Sequence, residues 1–240
     1  MMSTTTIDKS ASRIRGMFGA IAPTYDLLNH LLSCNVDRYW RWKTTQLVPP
    51  EAGIPVLDVC TGTGDLALAY WRRGRGQVPV IGADFCSDML VLARRKAARL
   101  GARNVAFVQA DAQRLPFADN YFQIVSVAFG LRNISDYRQG LTEMVRVVQP
   151  GGRVVILEFS RPSQSLAGRL YRWYFRRLLP CIGQLLSGTR AYYYLPASVL
   201  EFPDGEALAN VLRQMGLVNV WYRPFAFRIA TLYVGSKPKT

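Results

Sequence analysis

Histidine and cysteine are scarce in this chain of 240 residues. His30 is the only histidine, so a histidine-based metal site or a Ser-His-Asp triad lacks the partners it needs. The cysteines are scattered, without the C-x-x-C spacing of zinc and redox sites, at Cys34, Cys60, Cys86 and Cys181. We therefore predict no metal site, and cysteines that are reduced and mostly buried.

Long apolar runs and acidic residues are also few. No stretch of about 18 uncharged apolar residues is present, and the N-terminus lacks an apolar signal region. The sequence therefore predicts a cytoplasmic protein without a membrane-spanning helix. Only 16 acidic residues stand against 25 arginines and 5 lysines, which gives a net charge of +14. This excess indicates an anionic partner: a nucleic acid, an acidic lipid surface or an acidic substrate.

The strongest local signal lies in residues 56–67, which read Val-Leu-Asp-Val-Cys-Thr-Gly-Thr-Gly-Asp-Leu-Ala. An apolar run ends just after Asp58, a glycine turn follows, and an amphipathic helix begins. This pattern is typical of a strand, a turn and a helix N-terminus that meet a ligand. Twenty residues beyond Gly64, a second apolar run ends in Asp84, where a carboxylate can accept hydrogen bonds from both hydroxyls of a ribose. Together these features indicate a nucleoside-binding edge of an α/β sheet.

Two cofactors compete for this edge. Residues 62–67 match the G-x-G-x-x-A pattern of dinucleotide-binding proteins. However, Asp65 stands where the helix N-terminus would receive a pyrophosphate, and Asp58 adds a second negative charge nearby. Because these charges repel phosphate and attract a cationic sulfonium, we predict S-adenosylmethionine rather than NAD.

Strands and helices alternate along the middle of the chain, which predicts a parallel sheet with right-handed crossovers. Strands are expected near 54–59, 78–84, 104–109, 121–128 and 153–159, and helices near 64–73, 86–100 and 136–148. We interpret residues 150–152, Pro-Gly-Gly, as a turn before the fifth strand. A helix at 204–215 and strands near 217–223 and 228–235 would add an antiparallel hairpin. The predicted fold is a Rossmann-like class I methyltransferase with seven strands, because a dehydrogenase usually has six parallel ones.

We predict a single domain over residues 1–240. Its parts are a helical N-terminal cap in 10–50, a cofactor-binding core in 51–159, a lid insertion in 160–200, and a C-terminal helix and hairpin in 201–236. The insertion has no acidic residue between Glu158 and Glu201 and interleaves aromatic residues with arginines. Three interpretations stay open for it: a packed surface helix, a lid that touches anionic lipid through Arg172, Arg176 and Arg177, or a stacking platform for single-stranded nucleic acid.

Four longer motifs are distributed over nearly the whole chain. They are Tyr-Asp-Leu-Leu-Asn at 25–29, Asp-Ala-Gln-Arg-Leu-Pro-Phe-Ala-Asp-Asn-Tyr-Phe at 111–122, Ala-Phe-Gly-Leu-Arg-Asn at 128–133, and Arg-Val-Val-Gln-Pro-Gly-Gly-Arg-Val-Val-Ile-Leu-Glu-Phe-Ser at 146–160. In order and spacing the chain resembles the ubiquinone/menaquinone-biosynthesis C-methyltransferases from about residue 14 to 236. Leu-Pro-Phe is common among S-adenosylmethionine enzymes, whereas Phe-Gly-Leu-Arg-Asn and Tyr-Asp-Leu-x-Asn are much more specific.

The resemblance implies how the cofactor is held. Thr63 would lie in the glycine loop beside the methionine part, with Gly62 and Gly64 allowing close backbone approach. Asp84 would hold the ribose hydroxyls.

The adenine would be bound by the next part of the chain. The resemblance places the side chain of Asp111 and the backbone N–H of Ala112 against it. Ala128 occupies a position where some family members have a serine, so only packing against the cofactor is expected there.

The reaction that the resemblance implies is methyl transfer from the sulfonium to a ring carbon of a prenylated quinol. This needs alignment of carbon, methyl and sulfur, and an electron-rich ring. A fixed cation would lower the pKa of the quinol hydroxyl, which is ordinarily about 10 for a phenol. We expect Arg132 to be that cation and Asn133 to orient the quinol oxygen or a water. The other interpretation of this pair is a salt bridge and a cap for helix 136–148.

Further catalytic candidates lie in the N-terminal segment. The family places Tyr25 and Asp26 over the active site, and their alternative roles are helix packing and capping. The substrate would be demethylmenaquinol, 2-methoxy-6-polyprenyl-1,4-benzoquinol or both, while another small molecule or RNA is the competing acceptor. We predict a cytoplasmic protein in peripheral contact with an anionic membrane; nucleic acid is the less favoured partner, and a homodimer is compatible with the sequence.

Overall fold

Seven strands form one sheet in the order β3-β2-β1-β4-β5-β7-β6. The computed structural model describes residues 35–161 and 198–239, and also Gly16, Met17, Gly19, Ser33, Arg169, Trp173 and Arg177. The strands are β1 Val56–Val59, β2 Val80–Asp84, β3 Val105–Gln109, β4 Phe122–Ala128, β5 Val148–Phe159, β6 Val218–Phe225 and β7 Ala230–Ser236. The first five are parallel, and β7 runs antiparallel to both β5 and β6. The predicted fold class is confirmed.

Helices cover the sheet at the positions where the sequence pattern predicts them. Those in the described ranges are α1 Val36–Leu47, α2 Asp65–Arg73, α3 Ser87–Arg99, α4 Tyr137–Val147 and α5 Glu206–Gln214. Asp136 starts α4, because its side chain accepts hydrogen bonds from the backbone N–H groups of Arg138 and Gln139. The alternative interpretation of Asn133 was that it caps this helix, but the capping residue is Asp136, three residues later. No helix in residues 35–161 and 198–239 is long and apolar enough to cross a membrane.

The core forms two layers, one on each face of the sheet. Leu57 and Val125 face α4 and α5, and they pack in one cluster with Leu141 and Leu212. Their sequence neighbours point the other way, where Val56, Ile124 and Val155 pack with Trp40, Leu66 and Tyr70 of α1 and α2. Every residue of β1 is buried, since the strand has a parallel neighbour on each side and helices over both faces.

The fifth strand begins earlier than the sequence predicts. We expected a turn at residues 150–152 and a strand from 153, but β5 starts at Val148 and continues through these residues. The turn residues instead form a bulge, because Phe122 pairs with Val148 whereas Ile124 pairs with Arg153. Gly151 has a φ of 76°, which accounts for a glycine at this point. The prediction was therefore right about a local irregularity and wrong about the start of the strand.

The topology fixes where a ligand can bind. The strand order runs one way from β1 through β2 to β3 and the other way from β1 through β4 to β5. Crevices at such a switch point, beyond the carboxyl ends of the strands, are the ligand sites of open α/β sheets. Most of the predicted lid insertion, including Arg172 and Arg176, lies outside the described residues, as do residues 20–32 of the predicted N-terminal cap.

Candidate active site

A pocket opens at the switch point between β1 and β4. The empty space in it is about 850 Å³, a figure that includes the open solvent at its mouth. The residues that follow four neighbouring strands line it, and they include Cys60, Asp84, Asp111 and Phe129. Most of its lining is apolar, and the two carboxylates are its negative groups. The pocket thus combines an apolar body with acceptors for hydroxyl and amino groups.

Asp84 is held in a fixed orientation at the end of β2. One carboxylate oxygen accepts the backbone N–H of Gly62 at 2.8 Å, and the other accepts that of Cys86 at 2.9 Å. Burial raises the pKa of Asp84, and these backbone hydrogen bonds oppose the rise. Each oxygen keeps a further lone pair for a ligand, which is the arrangement that a vicinal diol requires. The structure therefore places Asp84 on the wall of the pocket, and its role towards a ribose stays a prediction.

The two glycines of the turn, Gly62 and Gly64, have different structural roles. Gly62 lines the pocket with a φ of 57°, and a Cβ added there would meet no atom within 4 Å, so it would project into open space. Gly64 has a φ of 85° and lies behind the turn, where a Cβ would come within 2.9 Å of Cζ of Phe107. The cradle left by Gly62 fits a ligand. Gly64 allows close packing within the fold, a distinction that the sequence pattern does not make.

A smaller recess lies beside the glycine turn and contains Asp58 and Thr63. Asp58 accepts hydrogen bonds from the hydroxyls of Thr61 at 2.7 Å and Ser126 at 2.9 Å. Its burial raises the pKa of Asp58 from 3.8 to about 6, although both hydroxyls and the charge of Arg41 oppose this shift. A buried carboxylate of this kind gains from a cationic ligand nearby.

The charge of Asp65, by contrast, is already compensated. Lys96 Nζ lies 2.6 Å from one Asp65 oxygen and donates to the Thr63 hydroxyl at 3.1 Å, and Arg41 lies 3.8 Å from the other oxygen. We expected Asp65 to repel phosphate as an uncompensated negative charge. Because Lys96 and Arg41 compensate that charge, Asp58 and Asp84 are the carboxylates that would repel phosphate at this edge.

Asp111 and Ala112 lie on the opposite wall of the main pocket. Asp111 is exposed, and its carboxylate accepts the backbone N–H of Gln113 at 2.9 Å. Ala112 is buried, and Ala128, the last residue of β4, lines both the pocket and the smaller recess. The structure therefore brings all three predicted contact residues to the ligand edge.

Arg132 forms a buried ion pair. Its Nη1 donates to Glu158 Oε1 at 2.6 Å and to the carbonyl oxygen of Phe129 at 2.5 Å, and its Nε donates to the Ser198 hydroxyl at 3.3 Å. The guanidinium also lies 5.3 Å from the ring centre of Phe159. This is the salt bridge that the sequence analysis gave as the other interpretation, and Arg132 does not line the pocket. Its catalytic role stays a prediction.

Asn133 does line the pocket. Its Nδ2 donates to the carbonyl oxygen of Phe129 at 3.4 Å, and this orients the amide. Its Oδ1 is buried and accepts no hydrogen bond from the described residues. An unpaired buried acceptor is costly, so Asn133 presents a site for a hydroxyl or amino donor of a ligand.

Sequence reasoning missed Cys60, Phe129 and Glu158. Cys60 and Phe129 follow β1 and β4 with left-handed φ values of 52° and 58°, which is uncommon outside glycine and frequent at functional sites. Burial, and then the surrounding carboxylates, raise the pKa of the Cys60 thiol well above its usual range, so it stays a weak nucleophile. No local pattern reveals these features, because they depend on packing between strands.

Two predicted catalytic residues are not placed by the structure. Tyr25 and Asp26 lie outside the described residues. Within residues 35–161 and 198–239, no three histidine, cysteine, aspartate or glutamate side chains are grouped as metal ligands.

The fold and the site together define a class I S-adenosylmethionine-dependent methyltransferase. A solved methyltransferase of this kind from Thermotoga maritima superposes with a TM-score of 0.67 at 16% identity, covering 92% of this chain and 99% of that one. The model of the ubiE/COQ5 methyltransferase family matches residues 6–237, and the chain belongs to this family.

Curated relatives cover almost the whole chain. One is the ubiquinone/menaquinone biosynthesis C-methyltransferase UbiE of Geobacter sulfurreducens, 46% identical over 232 residues, which are 96% of this chain and 91% of that protein. Another is the demethylmenaquinone methyltransferase of Thermus thermophilus, 48% identical over 223 residues, which are 92% of this chain and 100% of that protein. The predicted family and the predicted cofactor are thereby confirmed.

Proposed function

We propose that this protein transfers a methyl group from S-adenosylmethionine to a ring carbon of a prenylated quinol in respiratory quinone biosynthesis. The acceptor is demethylmenaquinol, 2-methoxy-6-polyprenyl-1,4-benzoquinol or both. The observation that carries the proposal is the pocket itself: Asp84, a ribose-type carboxylate, and Asn133, whose amide oxygen has no hydrogen-bond partner among the described residues, line one mainly apolar space in a chain of this family. The competing acceptor is another small molecule or RNA, methylated with the same cofactor.

The chain provides a fitting cradle for the cofactor. Asp84 would bind the ribose hydroxyls, Asp111 and Ala112 the adenine, and the backbone at Gly62 would allow close approach of the methionine part. S-adenosylmethionine supplies an activated methyl on a sulfonium, so the protein need not provide a metal or a covalent nucleophile. The buried carboxylate of Asp58 would lower the free energy of a positive charge in its recess.

The remaining task of the protein is to orient and activate the acceptor. Asn133 Oδ1 would accept a hydrogen bond from a quinol hydroxyl, because Phe129 already fixes the other end of the amide. In this proposal Arg132 lowers the pKa of that hydroxyl, although Glu158 balances part of its charge. Tyr25 and Asp26 are further catalytic candidates. A bound water or another side chain would take the proton, since a guanidinium is not a base.

Turnover on two acceptors tests the proposed function. Labelled S-adenosylmethionine would be incubated with short-tailed demethylmenaquinol and with a short-tailed methoxy-polyprenyl-benzoquinol, both kept reduced. We expect label in the ring of at least one, and the preferred ring identifies the pathway. If neither quinol is labelled while S-adenosylhomocysteine binds, the acceptor is wrong and the cofactor site stands.

Three variants test the roles of Arg132 and Asn133. Arg132→Ala alone would leave Glu158 buried and unpaired, so Arg132→Ala is combined with Glu158→Gln and compared with Glu158→Gln alone. We expect the double variant and Asn133→Ala to bind S-adenosylhomocysteine normally by calorimetry and to lose about 10- to 100-fold in turnover, which is typical for a lost hydrogen bond to a charged group. Equal turnover in the double variant and in Glu158→Gln would make Arg132 structural.

We also propose that the protein contacts the cytoplasmic face of an anionic membrane. A prenyl chain partitions into lipid, so a quinol carrying one is met at the bilayer surface. The basic lid insertion predicted from the sequence is one candidate for this contact. Replacement of Arg172, Arg176 and Arg177 by alanine is expected to weaken flotation with anionic vesicles, and unchanged flotation would remove the lid from the proposal.

A further inference from the structure

A groove rich in positive charge runs between α1 and α2, beside the recess that holds Asp58. We call it the basic groove. Its lining contains six cationic side chains and one carboxylate, that of Asp65. The cations are Arg38 and Arg41 of α1, Arg72 and Arg73 of α2, Arg75 just beyond α2, and Lys96 of α3.

Most of these charges are not neutralised. Arg41 and Lys96 interact with Asp65, but Arg38, Arg72, Arg73 and Arg75 have no carboxylate within 4 Å in the part of the chain that the structure describes. All four are exposed. Mutual repulsion disfavours such a cluster unless an anionic partner compensates it, so the groove is complementary to a negatively charged surface.

Two exposed aromatic side chains form the rim of the same groove: Trp42 lines it, and Tyr39 contacts Trp42. Tyr39 and Trp42 of α1 are each 51% exposed, and their ring centres are 5.8 Å apart. Lys43 Nζ lies 5.8 Å from the ring centre of Trp42. Exposed tryptophan and tyrosine beside basic residues are typical of surfaces that lie at the boundary between lipid headgroups and acyl chains.

The groove is also connected to the active site. Arg41 lines both the basic groove and the recess that holds Asp58, and its guanidinium lies 5.4 Å from the ring centre of Phe129 on the pocket wall. A surface bound in the groove would therefore lie next to this recess and close to the pocket wall.

We propose that the basic groove and its rim of Tyr39 and Trp42 form a docking surface for an anionic lipid membrane. The four unpaired arginines bind lipid phosphates, and the two rings insert among the headgroups. The inference rests on the proposed function, because a prenylated substrate that is dissolved in the bilayer gives the enzyme a reason to bind the membrane. It places the docking surface on α1 and α2, whether or not the lid insertion also takes part. A nucleic acid would match the charges but offers no route to an apolar acceptor.

Vesicle co-sedimentation tests the docking surface with the intact chain and without substrate. We expect binding to vesicles of phosphatidylcholine and phosphatidylglycerol, and little to phosphatidylcholine alone. Arg72→Ala with Arg75→Ala should weaken binding about 30-fold, because each basic residue near an anionic surface contributes about fivefold. Trp42→Ala should weaken the binding that persists in high salt. Methyl transfer to a short-tailed quinol in solution should not change in either variant.

The matched control removes the same charge elsewhere. Arg138 and Arg223 are exposed; Arg138 lies on α4, on the other face of the sheet, and Arg223 lies on β6 at its far edge. Arg138→Ala with Arg223→Ala should bind vesicles almost as the parent does. Equal losses of vesicle binding in both double variants would mean that overall charge attracts the protein to the vesicles, and this would overturn the proposal. The proposal would also be overturned if the groove variant lost RNA binding but kept vesicle binding. If the parent protein does not methylate either quinol, the proposed function is wrong, but the vesicle-binding result still tests the docking surface.

Discussion

Asp58 shows how one buried side chain can prepare a site for a cation. It is 1% exposed, accepts two hydroxyl hydrogen bonds and still has a pKa raised to about 6 by burial. Ionisation of Asp58 therefore costs more free energy in the folded protein without ligand than in the unfolded chain. A residue that destabilises the fold but lies beside the cofactor cradle indicates that binding, rather than stability, accounts for its presence.

The stability of an Asp58→Asn variant should depend on pH relative to the parent. Because the folded pKa lies above the unfolded one, the contribution of the carboxyl group is full below pH 3.8 and is lost as the pH rises through 6. We expect the variant to gain in free energy of unfolding over this range, by at most about 3 kcal/mol above pH 7. Urea denaturation at pH 4 to 8 measures it.

An exposed carboxylate provides the control. The side chain of Asp119 is 66% exposed, so Asp119→Asn should show no comparable gain as the pH rises. A loss of stability in Asp58→Asn that is equal at every pH would show that the hydroxyl hydrogen bonds outweigh the burial of charge.

At the scale of elements, the turn between β1 and α2 separates binding from packing within three residues. Gly62 faces the pocket and Gly64 faces Phe107 of β3. Asp84, at the end of β2, ties the turn to the neighbouring strand through the N–H of Gly62. The same hydrogen bond thus shapes the turn and orients the carboxylate that would bind the ribose.

Alanine substitutions should separate the two functions of this turn. Gly62→Ala should lower the free energy of unfolding by about 1–2 kcal/mol, the usual cost of a left-handed residue with a Cβ, and should impair S-adenosylhomocysteine binding. Gly64→Ala should lose a further 1–3 kcal/mol or so, because its Cβ meets Phe107. Urea denaturation and calorimetry measure both effects.

Gly53→Ala calibrates the backbone contribution. Gly53 has a φ of 78° and no atom within 4 Å of an added Cβ, and it does not line the pocket. If Gly64→Ala is no less stable than Gly53→Ala, the ring of Phe107 moves aside and the packing argument is wrong.

At the scale of the whole molecule, the pocket lies where the two layers of the core meet. Val59, Ala112 and Leu115 belong to one layer and Phe129 to the other, and all of them line the pocket. A ligand held there contacts both layers, so its binding energy adds to the stability of the whole domain.

S-adenosylhomocysteine should therefore raise the melting temperature. At a hundred times its Kd, the ligand adds about 2.7 kcal/mol, or about 5–10 °C for a domain of this size. Scanning fluorimetry should show this shift for the parent and not for Asp84→Ala at the same ligand concentration. A full shift in Asp84→Ala would exclude Asp84 as a cofactor ligand.

The sequence predicts most of this architecture because the signals are local. Apolar runs and glycine turns locate β1 and β2, and the acids at their ends identify Asp58 and Asp84 as ligand-edge residues. The bulge in β5 was predicted as a turn, since proline and glycine occur in both turns and bulges. Its true form depends on pairing with β4, which is not a local property.

The ion pairs in and around the site could not be predicted from the sequence for the same reason. The bond between Arg132 and Glu158 joins residues 26 positions apart, and that between Asp65 and Lys96 joins residues 31 apart. Composition suggests that so basic a chain will contain such pairs, but only the fold decides which arginines are paired and which line the basic groove.

The position of β7 has a consequence for how the chain assembles. β7 lies between β5 and β6, although β6 precedes it in the sequence. During synthesis β6 leaves the ribosome before any strand exists for it to pair with, and β5 keeps an open edge. The order of assembly is therefore β5, β7, β6, while the order of synthesis is β5, β6, β7. A nascent chain that has passed β6 exposes two strand edges at once, and the strand made next closes both.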